Sequence, residues 1–438
     1  MNKSVNKDWI ARSMASVWHP CTQMQHHEAL PLVAISHGSG AWLYDHEGHR
    51  YLDAVSSWWV NLFGHANPRI NAALKDQLDH LEHAMLAGFT HEPVVELSEQ
   101  LSARTQGALG HAFYASDGAS AVEIALKMSF HYWRNIGQTD KQEFVCLAGS
   151  YHGETVGALG VTDVALFTEA YGGMIRRAHV VRSPAAGVDE AAADALNQAV
   201  QAMRALFEQR AAHIAAVIVE PLVQCATGMA MYDPLYLKQL RALCDEFQVH
   251  LIADEIAVGC GRTGSFFACE QAQIWPDFMC LSKGISGGYL PLSLVMTTDT
   301  VYQAFYHSDI HRAFLHSHSY TGNPLACRAA LATLAIFDED RVIEKNKISA
   351  DKLRKAMEPI AAHSAVRRIR QRGMIAAFDV EPAVAEGFSR RFFAEAQKQE
   401  LLLRPIGHTV YWMPPYILSD EEISLLGERT LSVLNHVV

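Results

Sequence analysis

The sequence predicts an α/β protein built on a doubly wound, mostly parallel sheet, with a smaller α+β domain beside it. Short apolar runs recur between helix-like stretches, the signature of parallel strands joined by crossovers. Several of these runs deliver a polar residue at their C-terminal end, where ligands bind on open α/β sheets. The 438 residues are 50% hydrophobic and only 19% charged, enough apolar material for a large core.

Taken in order, the first thirteen residues carry Lys3, Lys7, Asp8 and Arg12 and hold no apolar segment of the kind a secretory signal needs. Residues 40–45 and 50–53 read as a hairpin turning at Glu47-Gly48. From Ser116 a helix is expected, because Ala121, Ile124, Ala125 and Met128 fall at i, i+3, i+4 and i+7. Strands are expected at 144–147, 179–181, 215–219, 250–253, 278–281 and 292–297. The alanine-rich segment 189–213 reads as a long helix feeding the strand at Ala215. After Gly322-Asn323-Pro324 a helix over 325–337 precedes mixed strand and helix patterns. The large domain is placed at 55–330, with 1–54 and 331–438 forming the small one.

The formal charge is −11, from 47 acidic against 36 basic residues, which argues against nucleic acid and anionic membrane as partners. No apolar run approaches membrane-spanning length. The eight cysteines at 21, 146, 225, 244, 260, 269, 280 and 327 form no C-x-x-C pair, and a reducing cytoplasm is the expected compartment. Metal catalysis is not expected: there is no H-E-x-x-H, and His316-Ser317-His318 has no third ligand close in sequence.

Four runs carry chemistry. The strand ending Ala253-Asp254-Glu255 places an acid where it either pairs with a protonated ring nitrogen or serves as a cap or structural ion pair. The strand leading to Ser282-Lys283-Gly284 delivers a lysine that is costly to desolvate unless neutralised, as on forming a Schiff base with an aldehyde; otherwise it snorkels to solvent. Twenty-nine residues separate Asp254 from Lys283, about one strand-crossover-strand unit. Ser116-Asp117-Gly118-Ala119-Ser120 opens a helix whose free N–H groups suit a phosphate, with Asp117 equally readable as a plain N-cap. Gly149-Ser150-Tyr151-His152-Gly153 sets Tyr151 to cover a planar ring or to sit as an ordinary loop aromatic.

With Ala253-Asp254-Glu255-Ile256, Gly261-Arg262-Thr263-Gly264 and Gly322-Asn323-Pro324-Leu325, these runs resemble the class III (ω) aminotransferases of pyridoxal 5'-phosphate (PLP) fold type I, over nearly the whole chain. The resemblance implies Lys283 as the cofactor lysine and proton carrier, Asp254 at the pyridine nitrogen, and Tyr151 beside the ring. It also implies Gly118 and Ala119 at the phosphate, where the helix start itself adds Ser120, and His318 and Ser319 reaching the neighbouring subunit's cofactor in a homodimer with shared active sites.

Trp18-His19-Pro20-Cys21-Thr22-Gln23-Met24, Ser56-Ser57-Trp58-Trp59, Arg404-Pro405 and Tyr411-Trp412-Met413-Pro414-Pro415-Tyr416 resemble the branch of that family that aminates 8-amino-7-oxononanoate in biotin synthesis, usually from S-adenosylmethionine. A nine-carbon acid needs an apolar slot and one fixed cation. By this resemblance Trp58 lines the slot and Arg404 clamps the carboxylate, against the plainer readings of a core Trp pair and a surface arginine. Cys21 and Ser317 fall at substrate-contacting positions where some members carry tyrosine and glycine, so lysine stays open as donor. The alternatives are ornithine, 4-aminobutyrate or ω-amino-acid:pyruvate transfer, a non-catalytic protein of the same fold, and a serine hydrolase using Ser286 in Gly284-Ile285-Ser286-Gly287-Gly288.

Overall fold

A computed structural model of the chain describes residues 4–187, 190–381 and 387–438. They divide into two compact units. One takes the chain up to Pro68 with Ile348–Arg370 and Ala376–Val438; the other takes Arg69–Lys347 and Gln371–Ile375.

The second unit is built on a seven-stranded sheet in the order His111–Ala115, Ser293–Thr297, Phe278–Leu281, His250–Asp254, Ile214–Val219, Glu143–Leu147, His179–Val181. The last five run parallel, while Ser293–Thr297 runs against both of its neighbours. Every residue of Ile214–Val219, His250–Asp254, Phe278–Leu281 and Ser293–Thr297 is buried, as strands covered on both faces must be. Helix Gly118–Asn135 lays Ala121, Ile124, Ala125 and Met128 into a core that includes Ile218, Ile252, Cys280 and Val295.

The six strands expected from sequence are all present, with ends displaced by at most one residue. The edge strand His111–Ala115 was not anticipated, because His-Ala-Phe-Tyr-Ala lacks an aliphatic run. Helix Ala192–Arg210 feeds Ile214–Val219; Asp189, where that helix was expected to begin, lies outside the described residues. Between Asp254 and Phe278 the crossover contains no α-helix. It folds around the short 3-10 turn Ala268–Ala272, anchored because the buried Glu255 carboxylate accepts from the Ala268 and Cys269 N–H groups at 2.7 and 2.8 Å.

In the first unit, Trp42–Asp45 and Arg50–Asp53 form the expected hairpin, and Asp45 Oδ1 closes the turn by accepting from Glu47 and His49 N–H, both at 2.9 Å. Leu401–Leu402 adds parallel to Arg50–Asp53, so residues from both ends of the chain share one sheet. Helix Asp420–Val437 starts at a capping box of Ser419 and Glu422, and Glu422 also accepts from the Trp42 indole at 2.6 Å. Among the described residues no helix is long and apolar enough to cross a membrane. None of the eight cysteines is joined in a disulfide, and all but Cys21 are buried.

Candidate active site

Neighbouring parallel strands of the second unit converge on one cluster at their C-terminal ends. Asp254 ends His250–Asp254 and stands in register with Cys280, three residues before Lys283. Asp254 is only 4% exposed, and such a buried carboxylate needs partners. His152 supplies one: its Nδ1 lies 2.7 Å from Asp254 Oδ2, while Oδ1 accepts from Ile256 N–H at 3.1 Å. The His152 side chain is itself buried, its N–H donates to Thr162 Oγ1, and its Nε2 has no hydrogen-bond partner.

Lys283 follows Phe278–Leu281 and adopts a left-handed conformation with φ of 47°, which strains any residue but glycine. Ser282 holds that strand end by donating to the Leu292 carbonyl at 2.8 Å. Burial pulls the Lys283 ammonium below the ordinary lysine range, against the opposing pull of Asp254 and Glu220. A lowered pKa makes the neutral, nucleophilic amine more available.

Glu220 completes the cluster directly after Ile214–Val219. It accepts from Tyr151 N–H at 3.0 Å and Cys225 N–H at 2.8 Å. Burial pushes it up to about 7, partly offset by His152 and reinforced by Asp254. Sequence reading assigned no role to His152 or Glu220. Glu220 stands immediately after an apolar run, the same signal that points to Asp254; His152 stands next to Tyr151 in Gly149-Ser150-Tyr151-His152-Gly153, with no local pattern of its own.

The helix beginning at Gly118 opens beside this cluster. A Cβ at Gly118 would meet Ile256 side-chain atoms at 3.1 Å, and one at Gly153 would meet Ala119 Cβ at 2.6 Å, so two backbones approach each other here because glycine permits it. Asp117 is the N-cap: its carboxylate takes both the Ser120 N–H at 3.0 Å and the Ser120 hydroxyl at 2.9 Å. Gly118 and Ala119 lead the open turn. Tyr151 directs its hydroxyl to Glu154 at 2.8 Å and its ring toward Phe167, with centroids 5.2 Å apart.

Ser317, His318 and Ser319 lie elsewhere in the same unit. His318 meets His316, which in turn contacts Lys127, nine residues into the helix and so about 13 Å along it from Gly118. Ser317 and Ser319 are exposed. Ser286 is buried, with its hydroxyl donating to the Leu290 carbonyl at 2.7 Å in a short 3-10 turn. That is no strand-to-helix elbow, and the hydroxyl proton is committed to a carbonyl rather than to a base.

Trp58, Cys21 and Arg404 all belong to the first unit. The Arg404 guanidinium lies 5.8 Å from the Trp58 ring centroid and donates to the Cys21 carbonyl at 3.1 Å. Trp58 is 49% exposed, whereas Trp59 is buried against Tyr411. Ser56, Ser57, Trp58 and Trp59 all have positive φ, between 45° and 74°, forming a left-handed turn. Such a turn costs roughly 1–2 kcal/mol per residue and needs support from its surroundings.

The second unit's donor set fits PLP. A lysine amine with lowered pKa, a buried acid backed by a histidine, and a helix N-terminus narrowed by glycines are the groups its aldehyde, ring nitrogen and phosphate require.

A family model described as aminotransferase class III matches residues 23–434. The chain is 46% identical over 433 residues to the adenosylmethionine-8-amino-7-oxononanoate aminotransferase of Helicobacter pylori, covering 98% of each chain. It is 38% identical to the protein of the same name from Geobacter sulfurreducens, covering 96% of this chain and 95% of that one. Among solved structures, the adenosylmethionine-8-amino-7-oxononanoate aminotransferase of Methanocaldococcus jannaschii superposes with a TM-score of 0.92 at 32% identity, covering 98% and 99% of the two chains. A PLP-bound amine transaminase from an uncultivated Pseudomonas species gives a TM-score of 0.90 at 28% identity, covering 97% and 99%.

Proposed function

The chain belongs to the class III aminotransferases, and from that premise we propose that it aminates 8-amino-7-oxononanoate, with PLP as cofactor and S-adenosylmethionine as amino donor. The observation that carries this reading is the placement of Lys283 and Asp254 at the C-terminal ends of adjacent parallel strands, with His152 behind the acid. Relatives named for the same reaction over almost their full length support the choice of substrate.

When bound, PLP supplies an electron sink for breaking the carbon–hydrogen bond beside the transferred amine. Asp254 holds a proton on the ring nitrogen, and His152 fixes the orientation of that carboxylate. Lys283 Nζ would hold the cofactor's aldehyde and would carry the proton to and from the substrate carbon. Gly118 and Ala119 receive the phosphate at the helix mouth, whereas the N–H and hydroxyl of Ser120, expected there from sequence, are both taken by Asp117. Tyr151 borders the ring, and Glu220 holds the Tyr151 backbone in place. Trp58 offers its face to the acceptor's alkyl chain, Arg404 takes its carboxylate, and Cys21 borders that site. The enzyme acts as a homodimer, His318 and Ser319 reaching the partner's cofactor and Ser317 contacting substrate.

The test is to mix the PLP-loaded protein with S-adenosylmethionine and, separately, with lysine, following the absorbance of the aminated cofactor, and then to add 8-amino-7-oxononanoate. Conversion by S-adenosylmethionine and reversal by the acceptor are expected; conversion by lysine alone would transfer the donor role. Lys283→Ala is expected to abolish turnover. Steady-state transamination by that variant without added amine refutes the assignment.

A further inference from the structure

The left-handed turn that presents Trp58 is held by a buried group outside the chemistry described so far. Asp53 is 0% exposed, and its carboxylate accepts three hydrogen bonds. Oδ1 receives the Ser57 N–H at 2.8 Å; Oδ2 receives the Ser57 hydroxyl at 2.7 Å and His65 Nε2 at 3.0 Å. The histidine tautomer follows from its other side. Asn61 Oδ1 accepts the Gly64 N–H at 2.8 Å, which turns the Asn61 amide NH₂ toward His65 Nδ1 at 3.1 Å. Nδ1 is then the acceptor, so Nε2 carries the proton that Asp53 receives.

Ser57 is the residue with the smallest φ in this run of four left-handed residues, at 45°. Both of its donors end on one carboxylate. The flanking residues are tied down as well: Ser56 donates to the Met413 carbonyl at 2.8 Å, and the Trp59 indole to the Tyr411 hydroxyl at 3.1 Å. Trp58 alone of the four points a large side chain outward, with the Arg404 guanidinium over it. A backbone in so sparsely populated a region persists only where its surroundings over-determine it. Here the Asp53–Ser57–His65 cluster does so at the residue immediately before Trp58.

We propose that Asp53 is a positioning residue: by clamping Ser57 it sets the direction of the Trp58 ring, and through that ring the place of the Arg404 guanidinium, so that the pair accepts a substrate carrying a long apolar chain ending in a carboxylate. This rests on the substrate reading given above. An asparagine cannot replace Asp53, because its NH₂ would face one of three donors.

The test combines a spectroscopic and a kinetic arm on the PLP-loaded enzyme. The difference in acrylamide quenching between the parent and its Trp58→Phe variant reports Trp58 alone. Asp53→Asn is expected to raise that difference signal and to raise the KM for 8-amino-7-oxononanoate about tenfold with little change in kcat, as expected for lost positioning. In a Trp58→Ala background the same substitution is expected to have no further effect, because Asp53 acts through the indole. Unchanged Trp58 quenching overturns the proposal, and so does an equal kinetic loss in both backgrounds. If Asp53→Asn fails to fold, Ser57→Ala removes only the hydroxyl bond and should shift quenching and KM in the same direction by less; no shift in either overturns the clamp. If the parent does not use 8-amino-7-oxononanoate at all, the substrate reading fails, and the quenching arm still decides whether Asp53 sets Trp58.

Discussion

Arg404 separates two jobs that a single positive charge would merge. Its guanidinium bonds the Cys21 carbonyl while lying over Trp58, a geometry in which the planar fork can still meet a carboxylate with two parallel N–H groups. A lysine would keep the charge and lose both the fork and the stacking. Arg404→Ala is therefore expected to raise the KM for 8-amino-7-oxononanoate by about thirty- to a hundredfold, the loss of a charge-assisted hydrogen-bonded pair worth roughly 2–3 kcal/mol. Arg404→Lys should recover only part of this, and the KM for the amino donor should move much less. Equal weakening of donor and acceptor in steady-state kinetics would remove Arg404 from its carboxylate role. At this scale the sequence was informative wherever a polar residue ended an apolar run. Asp254 and Lys283 stood out because a strand that buries every side chain makes its terminal charge conspicuous. His152 did not, since its meaning lies in a bond to a strand a hundred residues away, and no local pattern encodes that pairing.

Among the elements, the helix Gly118–Asn135 carries a conflict at its first turn. Asp117 caps it well, but the same carboxylate sets a negative charge at the mouth where an anion is expected. Serine caps a helix about as well as aspartate and carries no charge. Asp117→Ser should leave the helix within a few tenths of a kcal/mol of its parent stability and tighten PLP binding by about 1 kcal/mol, roughly fivefold in Kd. Equilibrium titration of the apoenzyme with PLP measures this, and a weakened Kd would show that the carboxylate is not opposing the phosphate. Aliphatic strands and the amphipathic face of this helix were legible because their periodicity comes from burial itself. The edge strand His111–Ala115 was not, because its pairing with the reversed Ser293–Thr297 rests on tertiary register and not on its own composition. The internal organisation of the crossover after Asp254 was not legible for a related reason: Glu255 organises it through two backbone N–H groups, and a buried acid serving as an anchor looks in sequence just like a catalytic one.

For the molecule as a whole, acid stability depends on groups the sheet buries rather than on its −11 charge. Glu220 and Glu255 are each pushed up to about 7, chiefly by burial, so each binds its proton more tightly folded than unfolded. Their contribution falls as pH rises from the ordinary glutamate range toward 7. His250 runs the other way. It opens the strand that ends at Asp254, is 6% exposed, shares a hydrogen bond with Ser129 Oγ at 2.8 Å, and is enclosed by Tyr132, Trp133 and Phe278. Burial drives it down to about 4, with Asp277 opposing and Arg241 and Lys141 adding to the depression. Because its folded pKa lies below the unfolded value of 6.5, its contribution is fully present above 6.5 and is lost as pH falls toward 4. The gap corresponds to about 3 kcal/mol. His250→Gln removes the titration while keeping an acceptor for Ser129. The expected result is that urea unfolding at pH 7 and at pH 4 shows the parent losing about 3 kcal/mol more than the variant across that interval. Parallel losses in the two proteins would mean that His250 is protonated in the folded state near its ordinary pKa and that the enclosing rings do not exclude its charge.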